Sequence, residues 1–181
     1  ISKLILGNDN QTKYDSAAEL WDHWIKVGGN AFDNAHIYGG GLMEKLLGEW
    51  HTKRNNRESL VIIAKGAHTP NCNPQGISIQ LTESLERLKI DCADIYIMHR
   101  DNIDVPVDEF IDVLNKEKDK GRIKIFGGSN WTLNRFSEAN DWANKNNKQP
   151  MTILNNNLAL SKMIHPLWDG CISSNDENIL K

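Results

Sequence analysis

The sequence predicts an α/β fold in which parallel strands and covering helices form a (β/α)8-type barrel, with about six strand-and-helix units present. Short apolar runs recur at a spacing close to one such unit, about 30 residues. The segments between them carry apolar residues at helical spacing. Polar residues suited to catalysis follow four of the predicted strands. These three observations together predict the fold class.

Six apolar runs are predicted to be the strands. Each is short and continuously apolar, as expected when helices cover one face of a parallel sheet and the barrel interior covers the other. The order of the strands along the chain predicts one barrel domain over residues 1–181. The predicted strands are Leu4–Leu6, Ala31–Phe32, Leu60–Ala64, Ile95–Met98, Ile123–Phe126 and Thr152–Leu154.

Four of the intervening segments predict helices with one apolar face. Asn73 followed by Pro74 marks a helix start, because asparagine caps the first turn and proline suits the first helical position. Thr132 can cap another helix, and glycine follows two helix ends, at Gly28 and Gly121. We interpret the apolar faces as core. They consist of Leu20, Trp21, Trp24 and Ile25; Ile77, Leu81, Leu85 and Leu88; Phe110, Ile111 and Leu114; and Leu133, Phe136, Ala139 and Ala143.

The positions of the polar residues favour a closed barrel over an open doubly wound sheet. In a barrel, catalytic groups come from the carboxyl ends of several strands and meet at one mouth. Here Asp33, Lys65, His99 and the pair Ser129-Asn130 follow four different predicted strands. The sequence has no GxGxxG turn of the kind that a doubly wound dinucleotide-binding sheet places after a strand. The TIM-type barrel is therefore the favoured fold.

Four side chains at this mouth suit proton transfer to a carbonyl compound: Asp33, Tyr38, Lys65 and His99. A tyrosine is a weak acid at neutral pH, and a buried ammonium beside it stabilises the phenolate. The ammonium needs a carboxylate to stay charged away from water. A histidine can orient a carbonyl oxygen through a hydrogen bond. Such a set can deliver a proton to the alkoxide that forms as hydride reaches carbon.

Six motifs resemble consecutive strands of the aldo-keto reductases. The first strand of that family is similar to ISKLILGNDN, and the second strand with its helix is similar to GGNAFDNAHIYGGGLMEKLLGEW. The third resembles VIIAKGAHTP, the fourth DIYIMHRDN, the fifth GRIKIFGGSNWT and the sixth TILNNNLALSKM. Order and spacing agree with the family from about Ile1 to Ile172.

The resemblance implies an enzyme that moves a hydride between NADPH and a carbonyl group, with NADH as the alternative cofactor. It implies that Asp33, Tyr38, Lys65 and His99 form a catalytic tetrad. Tyr38 is then the proton donor, Lys65 and Asp33 tune its acidity, and His99 orients the carbonyl. Sugars, aldehydes, ketones and steroids all remain open as substrates, because specificity in this fold lies in its loops.

The resemblance also implies a cofactor site and a substrate pocket. A Ser-Asn pair after the fifth strand holds the nicotinamide carboxamide in the family, and Asn155 stands where the family most often has glutamine. The cofactor-binding residues are then Asn8, Asp33, Ser129, Asn130 and Asn155. We expect His68 and Trp131 to line the substrate pocket. No standard zinc-ligand spacing is present, so no metal site is expected.

Composition restricts the partners and the compartment. The net charge of -3 gives no electrostatic reason to expect nucleic acid as a partner. No apolar run approaches the roughly 20 residues that span a bilayer, so no membrane partner is expected. The three cysteines, Cys72, Cys92 and Cys171, are far apart and odd in number. They predict a reducing compartment, the cytoplasm, without a disulfide framework.

The resemblance covers the first six of eight strands, so we expect a barrel truncated on its C-terminal side. In the family, the remaining region carries an aromatic residue stacked on the nicotinamide and basic residues that hold the adenosine phosphates. Two open sheet edges would favour self-association or completion by another chain. The alternative hypothesis is a reductase-like remnant that serves as a binding or assembly module without catalysis.

Overall fold

A computed structural model describes residues 1–161 and 163–174. Within them, six parallel strands form one sheet whose spatial order is the chain order. The sheet curves into an open half-barrel, which confirms the predicted α/β class and its six strands. The last seven residues of the predicted domain, 175–181, and Lys162 lie outside the described residues. The strands are β1 (Leu6–Gly7), β2 (Ala31–Asp33), β3 (Val61–Gly66), β4 (Ala93–Met98), β5 (Ile123–Ser129) and β6 (Ile153–Asn155).

In the described part of the chain, five α-helices connect the strands: α1 (Tyr14–Lys26), α2 (Leu42–Arg54), α3 (Pro74–Leu88), α4 (Val107–Asp119) and α5 (Leu133–Lys145). Two starts follow the predicted chemistry. The Asn73 side chain accepts a hydrogen bond from the Gly76 amide at 2.8 Å, and Thr132 accepts one from the Arg135 amide at 3.2 Å. Such caps satisfy amides that have no partner inside the helix. Both predicted caps are confirmed.

The first strand differs from its prediction. The apolar run Leu4–Leu6 contributes only Leu6 to β1, and Leu4 and Ile5 are exposed. The strand lies at the sheet edge, where it pairs with β2 alone through Leu6 opposite Phe32 and Gly7 opposite Asp33. The strand prediction assumes that sheet and helices surround the apolar run. At a sheet edge, one side of the run has no neighbouring strand, so the apolar pattern alone overestimates the length of the strand. Leu20 is likewise exposed on α1, at the margin of the predicted apolar face.

The core has two layers, one on each face of the sheet. The larger layer fills the space between sheet and helices, and its biggest fully buried side chains include Trp21, Trp50, Phe110 and Phe126. The smaller layer lies on the inner face of the half-barrel and is formed by Ile63, Ile95 and Ile97, with Val61 and Ile153 packed against it. Burial of each large apolar side chain contributes about 1.5–3 kcal/mol. The strand ends are therefore held on a rigid support.

Helices α2 and α3 pack closely behind the second and third strands. Gly48 of α2 lies against the α3 backbone, and a Cβ atom at this position would be 2.4 Å from the Arg87 carbonyl oxygen. Only glycine permits this approach. In the described part of the chain, no helix is long and apolar enough to cross a lipid bilayer.

Candidate active site

The carboxyl ends of the strands open onto a cleft of about 520 Å³. Most of the side chains expected to act in catalysis or binding meet there, because parallel strands end on the same side of the sheet. Asp33 adjoins the cleft through its bond to a lining lysine. The predicted residues that line the cleft are Tyr38, Lys65, His68, His99, Ser129, Asn130 and Asn155.

Lys65, at the end of β3, is the centre of the charged group. Its Nζ donates hydrogen bonds to Asp33 Oδ2 at 2.8 Å and to the Tyr38 hydroxyl oxygen at 2.9 Å. The residue is only 5% exposed. Burial alone would favour the neutral amine, but Asp33 and Tyr38 outweigh it and raise the pKa of Lys65 above its ordinary value. The ammonium is therefore charged within a largely dry site.

Tyr38 reaches this site from a tight turn between β2 and α2. The turn begins beside the sheet, where the His36 amide donates to the Lys65 carbonyl oxygen at 2.8 Å. Three glycines follow the tyrosine, and Gly39 and Gly40 have φ values of 55° and 63°. Glycine adopts this left-handed region without steric cost. The glycines therefore allow the chain to reverse within a few residues of the tyrosine.

His99 follows β4 and faces Tyr38. The ring centroids of His99 and Tyr38 lie 5.8 Å apart at an interplanar angle of 85°, and those of His99 and His68 lie 5.0 Å apart at 84°. His99 is 9% exposed. Burial, followed by the charge of Lys65, lowers its pKa from 6.5 to about 3. His99 is therefore a neutral imidazole at physiological pH, with one N–H to donate.

The ends of β5 and β6 add hydroxyl and amide groups. Asn130 adopts a positive φ of 59°, and its Nδ2 donates to Ser129 Oγ at 3.0 Å. Its Oδ1 accepts a hydrogen bond from the Ile172 amide at 3.0 Å. Asn155 lines the cleft beside them. This donor and acceptor set fits a carboxamide, although part of the Asn130 amide is already bonded within the chain.

Two predicted residues do not reach the cleft, and their expected positions are corrected. Asn8 is fully buried, where its Nδ2 donates to Asn34 and its Oδ1 accepts from the Trp21 indole, so its amide is used inside the fold. Its neighbour Asp9 lines the cleft instead. Trp131 is also fully buried, with its ring 6.0 Å from that of Phe110 in the outer core layer.

The cleft also contains residues that the sequence reasoning missed. Arg100 follows His99, is largely buried, and bonds the His99 carbonyl oxygen through Nη1 at 2.8 Å. Its position directly after the histidine was the available signal. Asn156 donates to and accepts from the Trp131 backbone, which ties the ends of β5 and β6. Leu167 and Trp168 come from irregular chain after β6, where no periodic pattern marks them.

The described residues contain no candidate metal site. Among residues 1–161 and 163–174, no group of three or more histidine, cysteine, aspartate or glutamate side chains could hold a metal ion. His36 is bonded to Glu83, and the Cys72 thiol donates to the Arg100 carbonyl oxygen. Burial raises the pKa of the Cys72 thiol to about 12, so it is a protonated core residue.

A model of the aldo/keto reductase family matches residues 4–166. The chain belongs to this family. An aryl-alcohol dehydrogenase of Pestalotiopsis microspora is 25% identical over 159 residues, which cover 81% of this chain and 41% of the relative. An aldo-keto reductase of Schizosaccharomyces pombe, whose name specifies NADP(+), is 29% identical over 65% of this chain and 37% of its own length.

A third relative comes from a different functional context. A probable voltage-gated potassium channel subunit beta of Arabidopsis thaliana is 31% identical over 137 residues, which cover 72% of this chain and 42% of that protein. The chain therefore spans less than half the length of each of these three relatives.

Proposed function

We propose that this chain carries the proton-transfer half of an NADPH-dependent oxidoreductase that interconverts a carbonyl group and an alcohol. The observation that carries the proposal is the position of the Lys65 ammonium, which bonds Asp33 on one side and the Tyr38 hydroxyl on the other at the wall of the cleft. Family membership supports the reaction class.

In this proposal Tyr38 gives its proton to the carbonyl oxygen as that oxygen gains negative charge. Lys65 donates to the tyrosine oxygen and so leaves the tyrosine hydrogen free for the substrate. As the proton leaves, the ammonium stabilises the phenolate at a distance of 2.9 Å, where burial keeps the interaction strong. Asp33 holds the ammonium in place and balances its charge.

His99 is proposed to orient the carbonyl oxygen. A neutral imidazole can donate one hydrogen bond without competing with Tyr38 for the role of acid, and the lowered pKa keeps His99 neutral. Its ring makes edge-to-face contacts with those of Tyr38 and His68. We propose that His68 lines the substrate side of the cleft.

The cofactor part of the proposal rests on Ser129, Asn130 and Asn155. A reduced nicotinamide supplies the hydride when it is bound. The hydroxyl and amide groups at the ends of β5 and β6 would hold its carboxamide, with Ser129 and Asn155 contributing most because Asn130 is partly engaged by Ile172. NADPH is proposed over NADH because a yeast relative is named for NADP(+).

A cofactor titration combined with a turnover assay tests this function. NADPH is titrated into the purified chain by fluorescence, and its oxidation is then followed with aryl, alkyl and sugar aldehydes. We expect saturable binding and oxidation with at least one aldehyde class. Saturable binding without oxidation of any of these compounds would contradict the catalytic proposal.

A second candidate is a non-catalytic binding or assembly module. It is favoured by the similarity to a plant potassium channel beta subunit and by the sheet edges at β1 and β6, each of which has one strand neighbour among the described residues. Exposed strand edges pair readily with other chains. No detectable NADPH binding up to millimolar concentration, together with a stable oligomer in sedimentation, would favour the module over the enzyme.

A further inference from the structure

The turn that presents Tyr38 has little rigidity of its own. Its backbone hydrogen bonds include short-range ones, from the Tyr38 amide to the Ala35 carbonyl oxygen and from the Gly40 amide to the Ile37 carbonyl oxygen. The His36 amide also bonds the Lys65 carbonyl oxygen before the tyrosine. The three glycines after the tyrosine carry no side chains that could anchor it to the core. Glycine also has the greatest backbone freedom of any residue. Contacts from outside the turn are needed to hold the hydroxyl beside Lys65.

Arg87, near the end of α3, supplies such contacts on both sides of the turn. Its Nη1 donates to the His36 carbonyl oxygen at 3.3 Å and to Glu44 Oε2 at 3.2 Å. His36 precedes Tyr38 by two residues, and Glu44 lies in the first turn of α2 after the glycines. One guanidinium therefore joins the two ends of the segment that contains Tyr38.

A further contact fixes the arginine itself. Its Nη2 donates to Glu83 Oε2 at 3.1 Å, and the same carboxylate bonds the His36 ring. The guanidinium lies directly against Gly41, where a Cβ atom would be 2.6 Å from Arg87 Nη1. The planar fork of arginine suits several simultaneous bonds in fixed directions. These contacts hold the Arg87 guanidinium in the position from which it bonds both sides of the turn.

The Glu44 partner makes the arrangement costly to break. Its side chain is fully buried, and burial raises the pKa of this carboxyl while Arg87 acts in the opposite direction. Without the guanidinium, Glu44 would lose its cationic partner inside the protein. Loss of Arg87 would therefore remove the cation that connects the start of α2 to the turn.

We propose that Arg87 is a positioning residue that holds the Tyr38 hydroxyl within hydrogen-bond distance of Lys65 by joining the His36 and Glu44 ends of the glycine turn. It touches neither substrate nor cofactor in this role. The inference deepens the proposed function, since it assigns the acid of that reaction a support outside the cleft.

The test compares Arg87→Met with Arg122→Met. Arg122 is a matched control, because it also pairs with a buried glutamate, Glu117. The Arg122 and Glu117 side chains are 25% and 1% exposed, close to the 21% and 0% of Arg87 and Glu44. Neither Arg122 nor Glu117 lines the cleft. Both variants lose a buried arginine–glutamate pair, but Glu117 keeps its bond to Lys120. Arg87→Met should therefore lose at least as much stability as Arg122→Met, measured by urea unfolding.

The deciding measurement is NMR of protein labelled with [¹³Cζ]tyrosine, which needs no turnover. The chain has three tyrosines, and Tyr38→Phe assigns the line of interest. We expect Arg87→Met to move the Tyr38 line by more than its width, because the Lys65 contact changes, and Arg122→Met to leave it in place. An unmoved line in folded Arg87→Met, or equal movement in both variants, would overturn the inference.

A milder variant covers the case in which Arg87→Met does not fold. Glu83→Gln alters an exposed anchor of Arg87 and should move the Tyr38 line in the same direction by less. If the chain turns over NADPH, Arg87→Met should lower kcat about 10- to 100-fold with little change in KM for the cofactor. Absent turnover in the wild-type chain would contradict the proposed function, while the NMR result still decides the positioning role.

Discussion

The two ends of the parallel sheet each carry a cluster of charges, and the clusters differ in what they leave unbonded. At the amino ends, Asp94 accepts from the Ile62 amide at 2.9 Å, from Arg57 at 2.8 Å and from Lys124 at 2.6 Å. Both of its carboxylate oxygens are used. Burial opposes the charge, but these three donors lower the pKa of Asp94.

At the carboxyl ends, bonding is incomplete among the described residues. Asp33 Oδ1 and His99 Nδ1 are buried without hydrogen-bond partners, and Tyr38 opens onto the cleft. Unsatisfied buried groups reduce stability. From this contrast we expect the amino-end cluster to serve the fold and the carboxyl-end cluster to provide hydrogen-bonding groups for a bound molecule, as barrels usually place them. Variants at the two ends should therefore affect different properties.

Tyr38→Phe should have the largest effect, and it should be confined to turnover. Loss of the proposed acid should lower kcat about 10²- to 10⁴-fold, while removal of one hydrogen bond should change the free energy of unfolding by about 1 kcal/mol or less. NADPH affinity should stay near the wild-type value in a fluorescence titration. Tyr14→Phe on α1 is the control, since it lies outside the cleft; a fully active Tyr38→Phe enzyme would rule out the proposed acid.

Asp94→Ala should show the opposite pattern at the other end of the sheet. The change leaves Arg57 and the Ile62 amide without their shared acceptor, so we expect a loss of about 2–4 kcal/mol in the free energy of unfolding, measured with urea. Cofactor binding and turnover per folded molecule should not change. A selective loss of turnover at full stability would remove the distinction between the two ends.

His99 should make the carboxyl end sensitive to mild acid. Its folded-state pKa of about 3 lies below the ordinary 6.5, so the unfolded chain binds the proton more readily, and the stability contribution present above pH 6.5 is lost as the pH falls toward 3. Between pH 7 and 5, the wild-type chain should lose about 2 kcal/mol more unfolding free energy than His99→Gln.

The interval from pH 7 to 5 isolates the histidine from the amino-end cluster. The pKa of Asp94 is lowered from 3.8, so its contribution is present above that value and is lost only in stronger acid. Burial also lowers the pKa of His51, but His51 is the same in both proteins and cancels in the comparison. Parallel pH profiles for the two proteins would show that His99 is not the titrating group.

Lys124→Ala should have the smallest effect. Its side chain is 65% exposed, and Asp94 retains Arg57 and the Ile62 amide when it is removed. Exposed ion pairs contribute about 0–1 kcal/mol. A loss well above that range in urea unfolding, without a change in the slope of the transition, would mean that the amino-end cluster acts as one cooperative unit.

The charged residues at the cleft could be predicted because each interrupts or ends an apolar strand. Lys65 follows four apolar residues of β3, and His99 follows β4 directly. Once the strands are recognised as parallel, their ends must share one side of the sheet. The meeting of Asp33, Lys65 and His99 therefore follows from local patterns and topology together.

The errors have a common physical origin in partners that are distant in sequence. Trp131 lies next to the Ser-Asn pair in sequence, but its ring turns inward because Phe110 of α4 offers an apolar contact. Asn8 is enclosed because Trp21 and Asn34 bond both ends of its amide. Arg100 and Trp168 enter the cleft through loops without periodicity. Side-chain direction at such positions depends on tertiary neighbours that no local pattern encodes.

Gly48, outside the cleft, sets the spacing between α2 and α3. Since its missing side chain lets α2 lie directly on the Arg87 carbonyl group, even a single methyl group there would wedge apart the helix that bears the arginine and the helix that follows the tyrosine loop. Under the proposed function, the position of the Tyr38 acid therefore depends on the spacing between two helices that lie outside the cleft. Engineering of the cleft should therefore leave the contact between α2 and α3 at Gly48 unchanged.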